Sequence, residues 1–198
     1  TQSRSSAASD VYKRQSEDGS VSFWNPATGD FIQRYEEFSA PVRTITYSPD
    51  GNFLAAAGGQ TQVSLQRPAD NRIIIWNQSG EIVATLTGHD ASIRALAFTP
   101  DSTKILSSSD DAQIILWDIN SQELERVYSA HEDAVWSLSF NQDGTEFLSG
   151  SRDTDIIRWQ TETGTILSRL SQHSSGVRAL AFHPDGIHAV SGAGTLDT

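Results

Sequence analysis

Short apolar runs, four to seven residues long, recur along this 198-residue chain, and turn-forming residues close each of them off. Residues 92–98, 104–107 and 114–117 are followed by 134–140, 146–149 and 156–159, the same three runs displaced by 42 positions. Runs this short predict strands rather than helices. Ile114, Ile115, Leu116 and Trp117 are apolar on both faces of such a strand, so sheets must cover it on both sides. Between the first and second runs of each copy stands a corner: Thr99-Pro100-Asp101-Ser102, then Asn141-Gln142-Asp143-Gly144, with Ser48-Pro49-Asp50-Gly51 before them and His183-Pro184-Asp185-Gly186 after. Proline presets φ, Asp bonds the backbone beyond it and Gly takes positive φ, which makes these tetrapeptides hairpin turns. A fourth run, at 124–128 and 166–170, mixes charged with apolar residues and suits an outer sheet edge.

The displacement extends to single residues. His89, His131 and His173 stand 42 apart, as do Phe98, Phe140 and Phe182, Asp111 and Asp153, and Trp117 and Trp159. A period of about 40 to 45 residues with four short strands per copy predicts a radial array of sheets, the β-propeller. The residues resemble the WD-repeat family of propellers, which pairs Gly-His before the first strand with an Asp ahead of the third and a Trp-Asp at its end. Gly88-His89 and Trp117-Asp118 fit in full, whereas Ala130-His131 and Gln172-His173 lack the Gly, and Trp24-Asn25, Trp76-Asn77 and Trp159-Gln160 lack the Asp. The spacing is stricter than the dipeptides: Asp18 to Trp24, Asp70 to Trp76, Asp111 to Trp117 and Asp153 to Trp159 are all six apart. The resemblance covers residues 16–198.

The expected fold is therefore all-β, a WD-repeat β-propeller present as an incomplete arc of about four blades of four antiparallel strands. Its units are a half blade at 16–38, a blade at 39–89 with an insertion at 60–70, blades at 90–131 and 132–173, and a half blade at 174–198. The chain opens in mid-unit, stops before the third strand of its last unit and contains no Met, so truncation at both ends is expected. Residues 1–15 are set apart as a non-native tail, because 5–15 read like the in-frame translation of a transposase-type sequencing adapter. An open arc leaves strand edges bare, unless strands at 20–38 and near 177–193 complete one blade and close a four-bladed ring.

Formal charge is −11, and without Arg4, Lys13, Arg14 and Asp10 of the tail it becomes −13. So acidic a balance weighs against nucleic acid and anionic membranes as partners, and no apolar run approaches the roughly 18 residues of a spanning helix. The absence of Cys removes disulfides and thiolate metal sites, and no cofactor is expected. The compartment stays open, with the cytoplasm favoured over secretion.

Two sets of residues, His89, Ser107 and Asp111, then His131, Ser149 and Asp153, contain the ingredients of a nucleophilic triad. An enzyme has no use for one nucleophile per blade, so no catalytic residue is expected. The resemblance implies structural tetrads instead, completed by Trp117 and Trp159, in which Asp accepts from His, His bonds Ser and Ser meets the indole N–H. The unit before them keeps Asp70 and Trp76 but has Phe38 and Ala56 where His and Ser belong, so it should be the least firmly pinned. His131-Glu132-Asp133 has metal-ligand residue types but reads as a solvated loop, and no metal site is expected. Gly192-Ala193-Gly194 is too short for a phosphate loop and reads as a widened turn, with Asp197 in the tetrad place.

The resemblance also puts the opening residue of each first strand on the top rim of the propeller: Arg43, Arg94, Trp136 and Arg178. The residue before the tetrad Asp joins them there, giving Glu17, Asp110 and Arg152. Arg and Trp combine buried area with directional hydrogen bonding and are enriched at interface hot spots. The competing reading is that a rim Arg merely pairs with a neighbouring Asp. The function expected is a non-catalytic scaffold holding a partner protein or peptide on this rim, with acidic or phosphorylated partners among the candidates. The alternative is a sensor or docking domain of a larger enzyme or signalling protein. A hydrolase within the propeller would require activity to depend on one Ser only.

Overall fold

A computed structural model describes residues 19–59 and 70–194, and every regular element among them is a strand. The expected tail at 1–15, residues 60–69 of the insertion, Glu17, Asp18 and Asp197 lie outside the described residues. Strands β3 (Val42–Tyr47), β4 (Phe53–Gly58), β5 (Ile73–Asn77) and β6 (Ile82–Leu86) form one antiparallel meander. A second contains β7 (Ile93–Phe98), β8 (Lys104–Ser109), β9 (Ile114–Asp118) and β10 (Leu124–Tyr128); a third contains β11 (Val135–Phe140), β12 (Glu146–Ser151), β13 (Ile156–Gln160) and β14 (Ile166–Leu170). Two-stranded sheets flank them: β1 (Val21–Trp24) with β2 (Phe31–Tyr35), and β15 (Val177–Phe182) with β16 (Ala189–Ala193). The first strands β3, β7, β11 and β15 lie against one another in turn, which arranges the sheets as blades around an inner side.

Alternation of side chains along each strand explains why Ile73–Trp76 of β5 and Ile114–Trp117 of β9 are apolar on both faces. In β5, Ile74 and Trp76 face back into a core shared with Val21 and Phe38, while Ile73 and Ile75 face forward into a core shared with Ile93, Ile105 and Trp117. In β9, Ile115 and Trp117 face back into that second core, and Ile114 and Leu116 face forward to Val135, Phe147 and Trp159. Each Trp thus points at the preceding blade. The last residue of the preceding outer strand covers it: Tyr35 stacks on Trp76 with ring centroids 5.2 Å apart, and Tyr128 meets Trp159 edge-on at 5.5 Å. Tyr128 also donates to the Thr161 carbonyl at 2.5 Å, and burial pushes its phenol pKa well above the ordinary value.

The four corner tetrapeptides close as expected, each with the fourth N–H bonded to the first carbonyl (Ser48, Thr99, Asn141, His183). Ser102 takes φ 61° where the other three have Gly, and its Oγ accepts the N–H of Asp50 from the preceding blade at 3.3 Å. That cross-blade bond offsets the strain of a non-Gly residue in the left-handed region.

The ring does not close. The β1–β2 and β15–β16 sheets remain separate, so the four-bladed alternative is not what the chain forms. Trp24, Phe31 and Ile32 stay exposed on one flank and Leu170, Ile187 and Val190 on the other, beside a cleft of about 240 Å³. Gly192 and Ala193 pair within β16, opposite Ala179 and Val177, so the widened turn expected at Gly192 is instead strand.

Candidate functional site

The rim positions Arg43, Arg94, Trp136 and Arg178 lie at the end of the arc where first strands begin and second strands finish. Beneath it lie two identical relays. Trp117 Nε1 donates to Ser107 Oγ at 2.8 Å, Ser107 Oγ lies 2.8 Å from His89 Nε2, and His89 Nδ1 lies 2.8 Å from Asp111 Oδ2. Trp159, Ser149, His131 and Asp153 repeat all three distances. An indole N–H can only donate, so the serine hydrogen points to histidine Nε2 and the ring proton rests on Nδ1, facing the carboxylate. Burial holds the His131 pKa below its ordinary value, with Asp153 only partly opposing it. Burial pushes Asp111 and Asp153 up, but bonds from the facing His and from two backbone N–H groups outweigh it and keep both carboxylates low.

Those backbone donors wind a tight turn around each carboxylate. Asp111 accepts from the N–H groups of Asp90 and Gln113, and Asp153 from those of Glu132 and Asp155. The residue after each Asp is driven to positive φ, 66° at Ala112 and 77° at Thr154. Two serines escape a reading by apolar pattern: Ser109 and Ser151 extend β8 and β12, accept the N–H of Asp111 and Asp153, and donate to the Ala91 and Asp133 carbonyls. Their 42-residue separation was the available clue.

The blade containing Phe38 and Ala56 uses other partners. Asp70 accepts from the N–H and Oγ of Ser39, at 2.8 and 3.1 Å, and from Arg72 through Nε and Nη2, at 2.7 and 3.0 Å. Arg72 also reaches the Glu37 carbonyl at 2.8 Å. Burial pushes Asp70 up, and the Arg72 and Ser39 bonds more than reverse it. Trp76 is held by rings, Tyr35 stacked on it and Phe38 edge-on at 6.3 Å. In the last unit, His173 Nε2 lies 2.7 Å from Ser191 Oγ.

On the rim the four repeat positions differ. Arg94 makes a bidentate pair with Asp110, which is the neighbouring-Asp arrangement weighed above. Arg43 Nε donates to the Gly59 carbonyl at 3.2 Å. Trp136 is half-buried, Arg178 stacks over its ring at 4.4 Å, and Arg178 Nε donates to the Gly194 carbonyl at 3.2 Å. Arg152 stands beside them, 59% exposed and only 3.6 Å from Asp133. Gly176 makes this group possible: a Cβ there would lie 2.4 Å from the Trp136 ring and 3.0 Å from the Arg152 Cα. Among the described residues no three His, Cys, Asp or Glu side chains converge to hold a metal ion.

The model of the WD domain, G-beta repeat, matches residues 29–77, 80–118, 122–160 and 164–197. The chain belongs to this WD-repeat family. Each of the first three matched segments takes the outer strand of one sheet and the first three strands of the next; the last runs from β14 through β15 and β16. Actin-interacting protein 1 of Drosophila melanogaster is 32% identical over 109 residues, covering 55% of this chain and 17% of the relative. WD repeat-containing protein 1 of Rattus norvegicus is 34% identical over 109 residues, 53% and 16% of the two chains. Nuclear distribution protein PAC1 of Arthroderma benhamiae is 29% identical over 162 residues, 54% and 35% respectively. The chain thus spans about a third or less of the length of these relatives.

Proposed function

We propose that the chain is a non-catalytic platform that holds a partner protein or peptide on the rim formed where β3, β7, β11 and β15 begin. The stacked Trp136–Arg178 pair carries this reading: a half-buried aromatic ring with an exposed guanidinium lying over it, in a protein of formal charge −11. Such pairs bury much area at small entropic cost and add directional donors. The serine–histidine–aspartate sets support the non-catalytic part, since Ser107 and Ser149 are wholly buried and already bonded by an indole N–H, leaving a substrate no approach. The name of the fly relative describes binding to another protein, actin, and platform binding in this chain is of the same general kind. Affinity capture from native lysate with the wild-type chain, Trp136→Ala and Arg178→Glu tests it. The reading requires a captured protein that both variants lose; an identical set in all three samples makes the rim a solvated wall.

A further inference from the structure

Resting on that reading of the rim, we infer that Trp136, Arg152 and Arg178 form the seat for one anionic side chain of the partner, a phosphorylated residue or a carboxylate, and that Arg94 has no part in it. The guanidinium of Arg94 is committed to Asp110, whose side chain is only 9% exposed; turning it outward would strand a buried carboxylate. Arg178 is placed differently. One bond from Nε to a carbonyl and a stack on Trp136 fix the plane of its guanidinium, while its two Nη groups have no partner among the described residues. A fork held in one plane presents parallel N–H donors, the geometry that a carboxylate or phosphate oxygen pair accepts. Arg152 adds a second charge, and its solvent-screened contact with Asp133 is readily exchanged for a better acceptor. Trp136 supplies the floor, seated against Gly176 and the Arg152 backbone.

Two cations beside one apolar plane match a dianion better than a monoanion, so phosphoserine should bind roughly tenfold tighter than glutamate. The indole N–H resonances of the whole chain, with Trp136 identified by Trp136→Phe, report this directly. The probes are Ala/Gly hexapeptides with one central phosphoserine, glutamate or serine, and inorganic phosphate. The phosphoserine peptide should move the Trp136 resonance saturably, glutamate more weakly and serine not at all. Arg152→Gln and Arg178→Gln should each weaken the phosphopeptide roughly tenfold or more. Gly176→Ala, which displaces the ring without removing charge, should also weaken it, while Arg94→Gln stays within about twofold. No movement with phosphopeptide or glutamate peptide, or equal losses in Arg94→Gln and Arg178→Gln, overturns the seat; inorganic phosphate binding as tightly as the peptide overturns its assignment to a partner's side chain. If lysate capture still depends on Trp136 while the peptides fail, the seat falls and the platform stands. If neither depends on Trp136, both fall.

Discussion

The blade β3–β6 and its two successors fasten the same three strands with different chemistry. The later blades bury a continuous polar relay, with every donor matched to an acceptor and a strained turn wound around the carboxylate. The earlier blade has no hydroxyl at Ala56 and no imidazole at position 38, and no positive φ is found after its Asp. It holds Asp70 with an arginine two residues on and a serine, and Trp76 with two aromatic rings. Removing the histidine and the serine together leaves neither partner stranded, because what is costly is half of a buried polar pair. The tetrad is therefore one of at least two solutions, and the Asp and the Trp are the parts common to both.

The largest effect expected follows from the common Trp. Trp117→Ala should lower unfolding free energy by about 3 to 5 kcal/mol, as loss of a buried aromatic that also strands Ser107; urea unfolding measures it, and a near-neutral result would remove the Trp from its central place. Acid should separate the two kinds of blade next. His131 and Asp153 have folded pKa values below their ordinary ones, so the unfolded chain binds more protons and stability declines as pH falls. The His131 contribution is intact above about pH 6.5 and is lost as pH falls through its lower folded value; those of Asp70, Asp111 and Asp153 follow below about pH 4. The slope is about 1.4 kcal/mol per pH unit for each proton taken up on unfolding. Denaturation from pH 8 to 3 should show both stages, and His131→Gln should remove the first.

Grafting sharpens the contrast. Ala56→Ser alone places a hydroxyl in a fully buried site without an imidazole to receive its hydrogen and should cost about 1 to 3 kcal/mol. Combined with Phe38→His it should cost less than the two single changes predict, by about 0.5 to 3 kcal/mol. Strict additivity would mean that the aromatic latch and the relay cannot substitute for one another. The smallest effect concerns strain: Thr154→Gly should raise stability by about 1 kcal/mol by relieving a β-branched residue at φ 77°, and no gain in melting temperature would show that the turn is not paying for its carboxylate.

How far the residues themselves disclose this molecule depends on whether a position is marked by apolarity or by repetition. The strands at 124–128 and 166–170 end where their mixed pattern ends, and the sheet order follows from the 42-residue copy. The second strands run on through Ser108–Ser109 and Gly150–Ser151, beyond the last apolar residue: Ser108 and Gly150 continue the ladder opposite Ile114 and Ile156, and the Ser109 and Ser151 hydroxyls bond the Ala91 and Asp133 carbonyls. Arg72 gave no warning that it would take over from a histidine, because a guanidinium reaching back two residues leaves no periodic trace. Gly176 stayed invisible for the same reason: its importance lies in a ring 40 residues earlier that only the fold brings against it.

The offset between matched segment and sheet bears on how such a chain can be inherited. An unequal exchange between equivalent codons of two copies removes or adds an outer strand together with the three strands of the following sheet. Every interior sheet of the recombinant still counts four strands, and no new edge opens in the middle of the arc. Blade number can therefore drift by whole units while each intermediate remains foldable at the join, and a newly arrived copy can lose its histidine and serine afterwards, as the β3–β6 blade shows is tolerated.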